Sequence, residues 1–375
     1  MKKTALILLL ILMLLFTQQA SAETNVYQIL DVSGNVLSYF RGDCDLGDEY
    51  ISGDNQHYRI ANVDHASMTA HADYLGKAQM PDVSWIDLPD SIAVSAAAPK
   101  KIALYCTHSD ESYIKGDGTQ SIEGRGGIYD IAAHLRKALE TRGVSVELNE
   151  TTHLPHDAGA YRRSRQTAVA LLKKGPDAIF DIHRDGIPDP EEYAVSVGNT
   201  AMSKVRLLVG KSNQNKEANL SFAKQIKAVG DKIYPDLIKD IYIGKGTYNQ
   251  DLAPRSVLLE FGTHTLNKER VFASVKPMAE VIFKAMYGGV TGSAGISDVG
   301  SSKAESKDQR TTSKPAAENN EGSDAIIWII ASLLGGIGVF ALLSTGGKGT
   351  GTKFKRTFSE MTGGLFGKKP PRNES

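Results

Sequence analysis

Short apolar runs that open on a charged or polar residue and close on a reactive side chain organise the middle of this chain. Lys101-Ile-Ala-Leu-Tyr-Cys-Thr-His108, Asp177-Ala-Ile-Phe-Asp-Ile-His183 and Ser256-Val-Leu-Leu-Glu260 are the three clearest. Each reads as a buried strand, because strands covered on both faces lose the apolar–polar alternation of half-exposed ones. Helical periodicity fills the gaps. Residues 127–142 predict a helix ended by Gly143 in a Schellman-like position, and residues 161–174 predict a second, stopped by Gly175-Pro176. Residues 217–234 predict a third, broken at Pro235, and a closing helix runs from Asn267 to about Met286. Residues 144–148 and 204–209 add two more strands. The expected fold over residues 100–288 is therefore α/β, a mainly parallel sheet flanked by helices on both faces.

Residues 24–95 follow a different rhythm. Short segments such as Val26-Tyr-Gln-Ile-Leu, Val36-Leu-Ser-Tyr-Phe and His57-Tyr-Arg-Ile-Ala-Asn-Val alternate with Gly and Asp turns, which predicts a small β-rich module. Ser91 to Lys100, rich in Ala and Ser, reads as the joint between the two regions. Residues 1–22 carry Lys2 and Lys3, an apolar stretch and an Ala20-Ser21-Ala22 cleavage signature, so they read as a signal peptide, with an uncleaved anchor as the rival. Residues 289–324 lack apolar content and predict a disordered linker. Residues 325–344 hold an almost unbroken apolar run, long enough for the ~20 residues of a spanning helix. The tail, residues 345–375, carries seven of its nine charges as Lys or Arg, which places it on the cytoplasmic side of a single-pass type I protein.

Charge adds little beyond this. The 43 basic and 43 acidic side chains cancel, but the sum averages over separate compartments. No phosphate loop, dinucleotide fingerprint or nucleic-acid module is present, so nucleic acid is not an expected partner. Of the two cysteines, Cys44 and Cys106, export would permit pairing, and a buried thiol at Cys106 fits its mid-strand position equally well.

The chemistry concentrates at the ends of the apolar runs, where α/β sheets place their sites. Two histidines and a carboxylate at three such ends suggest a metal with a general base beside it. A catalytic zinc takes three protein ligands and keeps a position open for water. His108 and His183 are the first two candidates. Glu123, in the Gly-rich loop Glu123-Gly-Arg-Gly-Gly127, is the third, with Glu111 and Asp110 as alternatives close to His108. Glu260 is the expected base, since a lone carboxylate in an apolar strand is costly to bury; an ion pair with Arg255 or Arg184 is the structural alternative. His264, four residues further on, is a candidate pocket-lining residue. Ser112 lacks the glycine-flanked elbow of a serine nucleophile.

These residues also resemble a known family. Thr107-His108-Ser-Asp-Glu111-Ser-Tyr113, Asp181-Ile-His183-Arg-Asp185, Gly246-Thr-Tyr-Asn-Gln-Asp-Leu-Ala-Pro-Arg255 and Leu259-Glu260-Phe-Gly262 look like stage II sporulation protein P, over about residues 26 to 287. That family is related to zinc N-acetylmuramoyl-L-alanine amidases of the amidase-3 type. The resemblance implies an amidase-3-like fold, zinc held by His108, Glu123 and His183, and Glu260 as catalytic base. It implies a peptidoglycan substrate, endopeptidase activity on stem peptides as a second possibility, and stage II sporulation proteins D and M as partners at the sporulation septum. Arg184, Asp185, Asn249, Asp251, Arg255 and His264 are the expected substrate contacts. One departure stands out: the family is expected to hang from an N-terminal membrane segment, whereas here the clearest span is C-terminal. A zinc peptidase restricted to stem peptides and a non-catalytic wall-binding scaffold are the competing functions.

Overall fold

Helix and strand lengths follow from where apolar side chains recur. The computed structural model describes residues 26–87, 99–157 and 159–288. The signal peptide, most of the Ala/Ser-rich joint, the linker, the apolar span and the basic tail expected from the sequence lie outside them. Among the described residues no helix is long and apolar enough to cross a membrane.

Thirteen strands are present among the described residues. The N-terminal set is β1 (Val26–Leu30), β2 (Val36–Arg41), β3 (Glu49–Ile51), β4 (Gln56–Asp64) and β5 (Thr69–Lys77). The second set is β6 (Lys101–Tyr105), β7 (Ser145–Leu148), β8 (Ala178–Asp185), β9 (Ala194–Val197), β10 (Thr200–Ser203), β11 (Val205–Gly210), β12 (Ile238–Gly244) and β13 (Ser256–Thr263). The main helices are α1 (Ile128–Glu140), α2 (Ala160–Leu172), α3 (Lys216–Ile233) and α4 (Lys268–Tyr287). The buried residues of α1, among them Ile128, Ile131, Ala132, Leu135 and Leu139, recur at the spacing of one helical face. Gly143 follows with φ +76°, as the sequence predicts.

Eleven strands form one sheet in the order β2-β1-β5-β4-β3-β12-β11-β13-β8-β6-β7. From β13 to β7 the pairing is parallel, but β11 runs antiparallel to β13 and the N-terminal strands are largely antiparallel. The sheet is thus mixed rather than mainly parallel. The N-terminal strands join it through β3, whose Tyr50 pairs with Tyr242 of β12. Four strands escape a reading by apolar runs: in β12 Lys239 and Asp240 interrupt the pattern, in β5 the buried positions are only Ala70 and Ala72, and β9 and β10 form a short hairpin.

Helices α1, α3 and α4 cover one face of the sheet around Phe180, Ile182, Leu207, Leu259 and Phe261. The other face carries α2 over Ala103, Tyr105 and Ile179. Further along it, N-terminal residues take the place a helix was expected to fill. Tyr27, Ile29, Phe40 and Ile60 pack on Leu208, Tyr242 and Leu258, with the Phe40 and Tyr242 rings stacked at 3.8 Å. Cys44 and Cys106 are both buried free thiols, so the disulfide that export would permit does not form.

Candidate metal centre

One level of the sheet carries a row of ionisable side chains. Asp240 on β12 is in register with Arg206 on β11, Arg206 with Glu260 on β13, and Glu260 with His183 on β8. Neighbouring strands are about 4.8 Å apart, so these side chains stand shoulder to shoulder on one face. Period-two alternation adds Asp181 and Asp185 to the same face as His183. Both histidine and carboxylate therefore sit on the sheet face near the strands' carboxyl ends, not beyond them.

Arg206 anchors the row. Its buried guanidinium donates to Asp240 at 2.7 and 2.8 Å, to Asp185 at 3.1 Å, and to Ser38 Oγ and Tyr39 O of β2 at 2.9 Å each. Tyr193 donates its hydroxyl to Asp185 at 2.6 Å. Every acceptor is matched, which is what makes a buried cation tolerable.

Among the described residues, His108, Glu111 and His183 form a cluster of potential metal ligands, with their donor atoms within 4.8 Å of one another. His108 Nδ1 lies 3.2 Å from Glu111 Oε1, and His183 Nδ1 lies 3.4 Å from Glu111 Oε2. Adjacent ligands around a tetrahedral zinc with bonds near ~2.0–2.1 Å are separated by about 3.3–3.4 Å, so each histidine–carboxylate spacing suits such an ion. The backbone N–H of Arg184 donates to Glu111 Oε2 at 2.9 Å and fixes the carboxylate. Burial alone would raise the Glu111 pKa, but His183, Arg184 and the His108 contact overcome it and hold the carboxyl well below its usual range. Burial opposes a charge on His183 too, yet Asp181 and Glu111 raise its pKa well above the ordinary value. His108 is shifted down, chiefly by burial.

Asp181 supports His183 from behind. Its carboxylate accepts from Thr107 N at 2.8 Å and Thr107 Oγ1 at 2.6 Å, and it lies 3.0 Å from His183 Nε2. That nitrogen is off-line for a hydrogen bond and is otherwise unpartnered among the described residues. His156 stacks on His108 at 4.0 Å while its Nδ1 contacts Asp110 at 3.0 Å, and the Tyr161 ring edges onto His108 at 5.5 Å.

Glu260 is half-buried, but its Oε2 is shielded from solvent and has no hydrogen-bond partner among the described residues. Desolvation, with Asp185 next, raises its pKa to about 8. Neither anticipated ion pair satisfies it. Arg184 turns away to donate to Ser112 O and Gln120 O, and Arg255 lies at the opposite end of β13.

The other expected site residues divide. Glu123 is exposed and is not part of the cluster; Glu111 stands where it was expected. The Gly-rich loop does fold back, but through its backbone: Gly126 N donates to Ser109 O, and a Cβ on Gly126 would collide with the carbonyls of Asp110 and Glu111. Asp185 lies in the row of charges, committed to Arg206 and Tyr193. His264 flanks it, its N–H donating to Asp185 O at 3.2 Å. Asn249 instead ties its loop to α2, donating to Tyr161 O and Ser164 Oγ, and Asp251 is locked in a bidentate pair with Arg165. Asp181, His156 and Arg206 are the residues the sequence reading left without roles, and Glu111 stood there only as an alternative to Glu123. Alternation from His183 flags Asp181, and a lone charge in the apolar strand Val205–Gly210 flags Arg206 as it flagged Glu260.

A two-histidine, one-carboxylate cluster with an unsatisfied carboxylate beside it defines a site suited to hold a divalent cation next to a proton acceptor. Sequence comparison supplies the family. Residues 53–283 match the model of Stage II sporulation protein P (SpoIIP), and the chain belongs to that family. It is 30% identical over 207 residues to stage II sporulation protein P of Bacillus subtilis (strain 168), a match spanning 50% of this chain and 51% of that protein. The chain thus spans about half the length of this curated relative. Among solved structures, it is similar to the N-acetylmuramyl-L-alanine amidase Ami1 from Mycobacterium abscessus in its apo form (TM-score 0.34, 15% identity, 51% of this chain and 99% of that one). It is also similar to the CwlD amidase from Clostridioides difficile in complex with the GerS lipoprotein (TM-score 0.31, 21% identity, 50% and 95%).

Proposed function

We propose that the chain is a zinc-dependent N-acetylmuramoyl-L-alanine amidase of peptidoglycan that acts in septal wall remodelling during sporulation. On this reading it is held to the membrane by residues 325–344, with residues 100–288 carrying the catalysis outside the cytoplasm. The supporting observation is the His108–Glu111–His183 cluster beside the unsatisfied Glu260, in a member of the stage II sporulation protein P family. His108, Glu111 and His183 would hold the zinc, which when bound supplies Lewis acidity towards a water and the scissile carbonyl. Glu260 accepts the proton of the attacking water. The water oxygen adds to the lactyl carbonyl carbon, the C–N bond breaks, and Glu260 returns the proton to the leaving amine of L-alanine. Thr107 and Asp181 keep the His183 ring in place throughout, as carboxylates behind ligating histidines commonly do.

Two outcomes are expected. Sacculi treated with the zinc-loaded full chain in detergent should release stem peptides with a free L-alanine amine, read by mass spectrometry. Cleaved cross-links alone would replace this reading with a stem-peptide endopeptidase, and no release would remove both. Asp181→Asn should weaken zinc binding by about 10–100-fold in a chelator competition, because it loosens His183 without removing a ligand. An unchanged affinity would show that Asp181 serves only Thr107.

A further inference from the structure

Of the arginines expected at the substrate, Arg184 is committed to backbone carbonyls beneath the loop and Arg255 lies at the far end of β13. A third arginine, from the N-terminal strands, stands at this end instead. Arg41 closes β2, and its side chain crosses Gly186, the residue directly after β8. A Cβ built on Gly186 would fall inside that side chain, against Cδ, Nη1 and Nε, so a larger residue there would push the arginine off this path. Ser38 and Tyr39, three and two residues earlier, are bonded to Arg206, which fixes the end of β2 over the charged row. His264 lies within reach of the same charge: burial lowers its pKa first, with Arg184 and Arg41 adding to the effect.

The guanidinium itself is unspoken for. Arg41 is half-buried, yet among the described residues its side chain has neither a hydrogen bond nor an ion pair. The adjacent Asp185 carboxylate cannot serve, since it is already taken by Tyr193, Arg206 and the N–H of Gly186. A partly desolvated guanidinium held in place without an acceptor is arranged for one that arrives, and its planar fork matches a carboxylate.

We propose that Arg41 binds a carboxylate of the substrate stem peptide, so that a residue of the N-terminal strands sets specificity at the site on β8 and β13. This rests on the peptidoglycan hydrolase reading. Gly186 keeps the path open, and Ser38 and Tyr39 hold the strand that delivers the group.

The test measures binding, not turnover. The zinc-loaded full chain in detergent, carrying Glu260→Gln to prevent hydrolysis, is titrated calorimetrically with a muramyl peptide bearing free carboxylates and with its carboxamide counterpart. The free acid should bind about 10–100-fold more tightly, the range of a charge-assisted hydrogen bond. Adding Arg41→Gln should erase that preference and leave carboxamide binding unchanged, while Arg41→Lys should retain part of it. A preference that survives Arg41→Gln, or equal weakening towards both peptides, overturns the assignment and leaves the hydrolase reading standing. If zinc binds but neither peptide does, the hydrolase reading falls and this one with it.

Discussion

Glu260→Gln is expected to abolish wall hydrolysis and at the same time make the metal-free protein harder to melt above pH 8. The two effects share one cause. Glu260 sits among Asp185, Glu111, His183 and Arg206 with its Oε2 cut off from water and unpartnered, so its ionised form is held at a disadvantage. A general base removed from a hydrolytic site lowers the rate by about 100–10,000-fold. Glutamine keeps the shape and loses the proton acceptor, so kcat should fall while zinc binding persists.

The sign of the stability effect follows from linkage. Glu260 titrates near 8 in the folded chain, against an ordinary value of 4.5. Between those values the unfolded chain is ionised and the folded chain is still protonated, so stability declines as pH rises from about 4.5 to about 8. Above 8 the loss is complete; below 4.5 it vanishes. Glutamine has no such penalty. Melting curves of the apo protein should therefore converge in acid and separate in favour of Glu260→Gln in mild alkali. Equal melting temperatures at pH 9 would mean that the buried oxygen finds a partner in solution. Retained hydrolysis would falsify the role as base outright.

The legible parts of this protein were those written in short-range pattern. The apolar runs of β6, β8 and β13 and the periodicity of α1 to α4 reflect burial that each segment records in its own side chains. His183 and Glu260 were conspicuous because each interrupts an apolar run, and the sheet register sets them side by side. What escaped depends on pairs distant in sequence. Asp240 breaks the pattern of β12 only because Arg206, 34 residues earlier, neutralises it. Arg184 looks like a free substrate clamp until Ser112 and Gln120 turn their carbonyls towards it. Arg41 reads as the start of the Arg41-Gly-Asp43 turn, and only the path over Gly186 carries it to the site. The third ligand failed for a related reason. A Gly-rich loop was expected to deliver a carboxylate, but it delivers backbone, and the carboxylate comes from the turn that already holds His108.

That last point yields the sharpest contrast between two glutamates twelve positions apart in the sequence. Glu111→Gln should lower zinc affinity by more than the ~10–100-fold typical of a supporting residue, because it removes a ligand itself. It should also destabilise the chain. The Glu111 carboxylate accepts the Arg184 N–H and lies against both histidines, and stripping the charge from such a buried cluster leaves its partners uncompensated, at a penalty of about 3–5 kcal/mol. Glu123→Gln changes an exposed side chain on the loop, where substitutions stay within about 0.5 kcal/mol, so affinity and melting should move by no more than about twofold and a degree or two. Equilibrium zinc titration and thermal melting of the two variants of the full chain decide the matter. Loss of zinc in Glu123→Gln with retention in Glu111→Gln would return the third ligand to the loop, and would require the segment from Gly118 to Gly126 to leave the Ser109 and Asp110 carbonyls that its backbone now holds.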